Sequence, residues 1–284
     1  WVESSVENKE HFLKERMLFD VTLFSDGSNI QRKPKGHLYL YPLIAIAAML
    51  AIVFVMDLPH MHKPKQQLSQ TIRIPAGQRA QMDLPDGSVV WLNSQTTLTY
   101  DENFGKKDRK VTLDGEAYFE VAHNKEIPFY VQTENIKVQV TGTKFDVCSY
   151  KGSNSFIARL IEGSINLLTN NAKEEKPITS LTKGKYFSME NGKYKTGEMS
   201  SNNALAWMQG IYYFDDVPFK ELLDKIALYY NYKITVKNPK ILENYRCTGK
   251  FKDLDGIEHI LKVIQKDHPF KYNIDNEHNK ITIE

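Results

Sequence analysis

The stretch RKVTLDGEAYFEV at residues 109–121 decides the fold class. In its second half the side chains of Ala117, Phe119 and Val121 fall on one face of an extended chain, and polar residues fall on the other. Short alternating runs recur along residues 71–199, separated by turn pairs such as Asp86-Gly87 and Asp114-Gly115. These many short strands predict an all-β domain, a sandwich, barrel or β-roll, over residues 71–199.

Beyond Ser200 the pattern changes to alternating strands and helices. FKELLDKIALYY (219–230) carries apolar residues three and four positions apart, which predicts an amphipathic helix. A second helix is predicted from about Asp255, with Glu258 completing a capping box. The order β-α-β-β-α-β-β predicts a small α+β domain over residues 200–284, with helices on one face of a sheet and a five-residue hairpin loop from Asp275 to Asn279. The predicted strands are 210–214, 233–236, 245–251, 270–274 and 280–284.

One apolar run stands apart from the rest of the chain. LYLYPLIAIAAMLAIVFVM (38–56) is 19 residues without a charge, close to the ~20 apolar residues that span a ~30 Å hydrocarbon core. A buried helix or a signal peptide fits less well, because the run has no polar face and no small-residue cleavage site. We therefore predict a single transmembrane helix over 37–56 and a polar linker over 57–70. The cations Arg32, Lys33 and Lys35 place the N-terminal side inside.

Residues 1–36 are polar with a weak helical pattern, and the chain begins with Trp1. We expect them to be the cytoplasmic tail of a helical region whose beginning lies upstream. The predicted fold class is thus a single-pass membrane protein with an outer all-β domain and a small α+β domain.

The composition limits the function classes. The 37 Lys and Arg against 35 Asp and Glu give a formal net charge of +2, which argues against direct nucleic-acid binding because that function needs a basic face. An apolar content of 41% is sufficient for packed cores. Cys148 and Cys247 form no metal-binding pattern and indicate no disulfide framework.

Catalytic and metal-binding patterns are also missing from the sequence. Asp86-Gly87-Ser88 and Asp114-Gly115-Glu116 fit hairpin turns better than a nucleophile motif. His60 and His62 lack cysteine or carboxylate partners, and Glu116 with Glu120 is ordinary for a solvated strand face. We predict no enzymatic activity, no cofactor and no metal site.

Four segments follow one another along the chain: LPDGSVVWLNSQTTLTY (84–100), RKVTLDGEAYFEVAHNKEIPFYVQT (109–133), VQVTGTKFDVCSY (138–150) and LIEGSINLL (160–168). Taken in this order, they resemble the FecR family of membrane-anchored anti-sigma factors. Thr141 and Ile165 depart from the commoner Leu and Val of the family pattern. The part from 207 to 251, with WMQGIYYFDDVPFKELLDKIALYYNYKITV (207–236) and CTGKF (247–251), resembles the C-terminal module of Bacteroidetes-type members, which is similar to the short N-terminal domain of secretins and TonB-dependent transducers. WVESSVEN (1–8) looks like the last helix of the sigma-binding region.

The resemblance implies an anti-sigma factor that holds an extracytoplasmic-function sigma factor at the inner membrane, with its N-terminus in the cytoplasm and its C-terminus in the periplasm. The signal would come from the signalling domain of an outer-membrane TonB-dependent transporter, and release would involve an intramembrane or site-1 protease. The alternative is a membrane-tethered periplasmic carbohydrate-binding module. A cell-wall hydrolase is a weaker third interpretation.

Two contact surfaces are predicted for these partners. Trp1, Val6 and Phe12 would contact the sigma factor, or else close their own helical bundle. The transporter domain would add a strand to one of two candidate edges, 210–214 or 245–251. One of the three adjacent aromatic residues should stay outside the core, unless they form a buried turn cluster. The residues predicted to contact the transporter are Tyr212, Tyr213, Phe214, Arg246 and Thr248.

Overall fold

The computed structural model describes residues 5–25, 45–49, 51–52, 68–106, 108–170, 175–199 and 202–284. Contacts divide the chain into two compact units, Trp1–Lys65 and Gln66–Glu284. The first contains helix α1, Val6–Ser25, and short helical stretches at 45–49 and 51–52. Among the described residues, no helix is long and apolar enough to span a membrane. Trp1 and most of the predicted membrane segment 37–56 and linker 57–70 lie outside the described residues.

The first part of the second unit is all β in its described residues, as predicted. Two layers face each other, and each contains seven strands because β5 belongs to both. The strand order is β1-β4-β5-β6-β7-β10-β11 in one layer and β2-β3-β5-β8-β9-β12-β13 in the other. The strands are β1 Ser69–Arg73, β2 Ala80–Asp83, β3 Val89–Leu92, β4 Thr97–Asp101, β5 Arg109–Glu120, β6 Phe129–Gln132, β7 Ile136–Val140, β8 Lys144–Ser149, β9 Ser155–Glu162, β10 Ser164–Thr169, β11 Pro177–Thr182, β12 Lys185–Glu190 and β13 Lys193–Glu198.

Strand β5 links the two layers, and the predicted turn at Asp114-Gly115 is wrong. Up to Asp114 the strand pairs with β4 and β6, and from Gly115 onward it pairs with β3 and β8. Gly115 has a φ of +135° and no room for a side chain, because a Cβ there would lie 2.4 Å from Thr96 Oγ1. Glycine therefore lets the chain change layer without ending the strand.

The core between the layers follows the predicted alternation, but the other face of β5 differs from the prediction. Phe119 is fully buried and stacks on Phe145 with ring centroids 5.1 Å apart. Glu116, predicted on a solvated face, is only 3% exposed, and Tyr118 on the same face is 5% exposed. The reason is that the C-terminal domain covers this face of the sandwich.

A buried ion pair fixes the β2–β3 turn to β5. The carboxylate of Asp86 accepts hydrogen bonds from the Ser88 amide (3.0 Å) and hydroxyl (2.8 Å), and lies 3.1 Å from Arg109 Nη1. The Arg109 side chain is 3% exposed and that of Asp86 is 6% exposed. Arg109 also donates to the carbonyls of Ala122, Asn124 and Ile127. The Asp86-Gly87-Ser88 turn is thus tied into the core by charge as well as by its own hydrogen bonds.

The C-terminal domain shows the predicted order β-α-β-β-α-β-β, but its strands form two sheets rather than one. Strands β14 and β16 pair with each other, and β15, β18 and β17 form a separate three-stranded sheet in which β15 is parallel to β18. The last hairpin loop has four residues, 276–279, rather than five. The elements are β14 Ile211–Pro218, α2 Phe219–Tyr230, β15 Lys233–Val236, β16 Arg246–Lys252, α3 Gly256–Asp267, β17 Tyr272–Asp275 and β18 Lys280–Ile283, with a 3-10 helix Asn202–Gln209 before them.

The predicted capping box of α3 does not form, although the helix buries an apolar stripe made of Ile257, Ile260, Leu261 and Ile264. Asp255 has helical dihedral angles (φ −70°, ψ −21°), so its side chain cannot reach the first amides of the helix as an extended N-cap residue would. Its carboxylate accepts the Lys252 amide (3.2 Å) instead. Glu258 pairs with Lys262 one turn later, at 2.7 Å.

Candidate functional site

A cleft of about 220 Å³ lies where the sandwich meets the C-terminal domain. Strands β5, β8 and β9 line it from the sandwich, through residues that include Glu116 and Arg159. Strand β14 and helix α2 line it from the C-terminal domain, and Trp207 lines it from the connecting 3-10 helix. The sandwich, the C-terminal domain and the 3-10 helix that connects them therefore all contribute to this cleft.

Three charged side chains lie together beneath the cleft. Arg159 Nη1 is 2.5 Å from an oxygen of Asp146 and 3.7 Å from an oxygen of Glu116. The Asp146 side chain is fully buried, that of Glu116 is 5% exposed and that of Arg159 is 17% exposed. Two carboxylates thus share one guanidinium nitrogen, which leaves one excess negative charge in a buried place when both are ionised.

Neutral partners hold Glu116 in this cluster. Asn93 Nδ2 donates to Glu116 Oε2 at 2.6 Å, and the Tyr229 hydroxyl donates to the same oxygen at 3.4 Å. Asn93 comes from the sandwich and Tyr229 from α2, so one carboxylate oxygen contacts both domains. This contact joins residues 113 positions apart in the chain.

The environment raises the pKa of Asp146 to about 7, mainly because burial disfavours its charged form, while Arg159 opposes the shift. The buried atoms Asp146 Oδ1 and Trp207 Nε1 make no hydrogen bond with good geometry in the described part of the chain. The indole N–H of Trp207 lowers the pKa of Asp146, but less than burial raises it. Burial therefore favours the neutral form of Asp146 within the cluster.

The three predicted aromatic contacts all line the cleft, but they differ in access. Tyr212 and Phe214 are 3% and 1% exposed, and Tyr212 stacks on Tyr229 with ring centroids 4.3 Å apart. Tyr213 is half-buried, with Lys250 Nζ 5.4 Å from its ring centroid. Of the three, only Tyr213 presents its side chain at the surface.

The two candidate edges, 210–214 and 245–251, largely coincide with strands β14 and β16, which pair with each other. The predicted residues Arg246 and Thr248 are exposed and hold a bulge in β14. Arg246 Nε donates to the Asp216 carboxylate at 2.7 Å, and the Asp216 amide donates to Thr248 Oγ1 at 2.9 Å. Asp216 has a φ of +48°, so these two side chains support an unusual backbone conformation. Their contact with a transporter stays a prediction.

The predicted sigma-factor contacts lie on α1, except Trp1, which is outside the described residues. Val6 is 80% exposed and Phe12 is 42% exposed. The two do not share a helix face, because six residues correspond to about 240° of rotation. Leu13 and Met17, which are 54% and 69% exposed, do share the face of Val6.

The charged cluster beneath the cleft was not predicted from the sequence. The sequence SFIARLI (155–161) nevertheless indicates that both faces of this strand are buried. Phe156 and Ala158 lie on one face, and Ile157 and Ile161 make the other face apolar as well. A strand that is apolar on both faces is covered on both sides. An arginine within such a strand, Arg159, needs a buried acidic partner.

Comparisons with known proteins agree with this two-part architecture. A family model described as FecR protein matches residues 70–166, and another described as FecR, C-terminal matches residues 211–283. Two crystal structures of a candidate anti-sigma factor from Parabacteroides distasonis ATCC 8503, at 2.50 and 1.65 Å resolution, are 25% and 24% identical to the chain, with TM-scores of 0.64 and 0.65. Each covers 76% of this chain and 98% of its own. No curated protein sequence matches the chain with significance.

Proposed function

The chain belongs to the FecR family, and we propose that it is an anti-sigma factor that holds an extracytoplasmic-function sigma factor at the inner membrane. It releases or activates this sigma factor on a signal from an outer-membrane TonB-dependent transporter. The observation that carries the proposal is the succession of the two matched regions, 70–166 and 211–283. The same succession of domains covers 98% of the candidate anti-sigma factor from Parabacteroides distasonis. The family acts in regulation and not in catalysis.

The proposed layout places residues 1–36 in the cytoplasm, 37–56 in the membrane and the two domains after the linker in the periplasm. Its support is the uncharged run from 38 to 56 with cations on its N-terminal side. In this arrangement α1 faces the sigma factor and the C-terminal domain faces the transporter. A protease that cuts in or near the membrane segment would then free the sigma-binding part.

The glycan-binding alternative receives less support from the cleft. Sugar recognition of this kind uses exposed aromatic faces, whereas Trp207, Tyr212 and Phe214 are at most 4% exposed. Calorimetric titration of the full chain with oligosaccharides tests this alternative directly. Saturable heat in the absence of any transporter would favour it over signal reception.

The sigma-factor contact leads to a test on α1. We expect Leu13→Asp to weaken binding of the full chain to a purified extracytoplasmic-function sigma factor of the same organism by about tenfold or more, since burial of a leucine contributes about 1.5–3 kcal/mol. The matched control is Leu18→Asp, which is similarly exposed, at 56%, but lies about 140° around the helix. Affinity measured by surface plasmon resonance should fall for the first variant only. Equal affinities of both variants and the unchanged chain would count against this face, and no binding by the unchanged chain would count against the proposed function.

The transporter contact leads to a test on Tyr213. Tyr213→Lys is expected to reduce affinity for the purified signalling domain of the transporter by about tenfold, because it replaces an accessible aromatic ring on β14 by a charge next to Lys250. Tyr194→Lys, a 69% exposed position on β13, is the control and should bind normally. Isothermal titration calorimetry measures both. An unchanged affinity for Tyr213→Lys would exclude this side of the C-terminal domain as the docking surface.

A further inference from the structure

The C-terminal end of helix α2 is completed by groups from the sandwich. The last carbonyls of any helix lack partners within the helix and need donors from elsewhere. Here the Tyr229 carbonyl accepts the Gly77 amide at 3.0 Å and the Ser94 hydroxyl at 2.9 Å. The Leu228 carbonyl accepts the side-chain amide of Gln95. Three donors of one domain therefore cap a helix of the other.

The donor turn at residues 93–96 is shaped for this contact. Asn93, Ser94 and Thr96 are fully buried, although all three are polar. Gln95 has a φ of +55°, a conformation that glycine adopts easily and a glutamine adopts only under constraint. The Ser94 hydroxyl also accepts the Gly77 amide at 2.8 Å, which ties the two donor loops together.

A second contact lies beside this cap. Arg79, which follows the Gly77 loop, forms an ion pair with Asp253 at the end of β16, and the distance is 2.8 Å. The Asp253 side chain is 8% exposed and that of Arg79 is 25% exposed. The loop at 77–79 and the turn at 93–96 thus contact both the C-terminal end of α2 and the end of β16, the strand that pairs with β14.

We propose that the loop 77–79, the turn 93–96 and the C-terminal end of α2 form a latch that joins the two domains into one body and opens as a unit. While the latch is closed, the last turn of α2 is protected and the carboxylate of Glu116 stays covered by Tyr229. When it opens, the carbonyls of Leu228 and Tyr229 lose the donors that the sandwich supplies, and the charged cluster meets water. The amides of Asn231 and Tyr232, which bond to the carbonyls of Leu228 and Ala227, stay in place. The role of the latch in signalling rests on the proposed function, because a partner that displaces the C-terminal domain would act on the sandwich through it.

Hydrogen–deuterium exchange of the purified full chain tests the latch without any partner. In the double variant Ser94→Ala/Gln95→Ala, amides of residues 227–232 are expected to exchange about tenfold faster or more. Both side-chain hydrogen bonds to the end of α2 are lost, together with the bond from the Gly77 amide to the Ser94 hydroxyl. Amides in β10 and β11 should keep their rates. The matched control is Gln132→Ala/Ser180→Ala, which removes a hydrogen bond of each side chain within the sandwich, of 2.9 and 2.8 Å, and should leave residues 227–232 unchanged.

A single variant distinguishes loss of the latch from misfolding of the turn. Gln95→Gly relieves the positive φ and yet removes the side-chain bond to Leu228. We expect it to keep the protection of β3 and β4 while the exchange of residues 227–232 becomes severalfold faster. Unchanged exchange there in both variants would overturn the latch. Because no sigma factor or transporter takes part, such a result would leave the proposed anti-sigma function untouched.

Discussion

Replacing Arg109 with methionine is expected to lower the free energy of unfolding of the sandwich by about 3–5 kcal/mol, because it leaves the buried Asp86 carboxylate without its cation. Methionine fills much of the space of the arginine stem, so the effect reports charge and hydrogen bonding more than volume. The variant also loses donors to the carbonyls of Ala122, Asn124 and Ile127. Urea unfolding of the purified full chain measures the change.

The same substitution at an exposed site is the control. Arg246 pairs with Asp216 at 2.7 Å, but the two side chains are 53% and 71% exposed. Because solvent screens such a pair, Arg246→Met should change stability by no more than about 1 kcal/mol. The double variant Arg109→Met/Asp86→Asn should recover part of the loss, since it removes the unpaired charge as well. Similar losses for the two arginine variants would contradict the assigned role of Asp86 and Arg109.

The order of strands and helices was predictable because local patterns determine it. The period of two in β5 and the three-and-four spacing in α2 and α3 mark faces that pack into a core, and the structure buries those faces. Resemblance of the quoted motifs to the FecR family was equally local. In both cases the information lies in continuous stretches of the sequence.

The features that were mispredicted depend on contacts distant in sequence. Gly115 has the sequence context of a turn residue, but glycine is required there because Thr96 occupies the space that a Cβ would need. The two sheets of the C-terminal domain could not be distinguished from one, because strand pairing is not encoded in the order of elements. Glu116 seemed solvated because the covering residue, Tyr229, comes from another domain. Only the second apolar face of SFIARLI indicated that the sandwich is covered there.

The cluster beneath the cleft leads to the second large effect. Arg159→Met would leave Glu116 and Asp146 buried together without a cation, and we expect a loss of about 3–5 kcal/mol at pH 8. The loss should be smaller at pH 5, since a buried carboxylate without a cation takes up a proton more readily. Urea unfolding at both pH values measures the difference. A loss that is independent of pH would mean that packing of the arginine stem, rather than its charge, stabilises the junction.

Asp146→Asn should raise the free energy of unfolding at pH 8, whereas Arg159→Met should lower it. The pKa of Asp146 is raised from 3.8 to about 7 in the folded protein by burial, so between these values the folded state holds a proton that the unfolded state has released. Its contribution to stability is therefore fully present below about pH 4 and is lost as the pH rises through 7. Asparagine cannot ionise, so the variant should gain in stability relative to the unchanged chain as the pH rises from 4 to 8. Asp224→Asn, which removes an exposed pair with Lys220, should show no such gain, and a parallel pH dependence of all three proteins would exclude Asp146 as the titrating group.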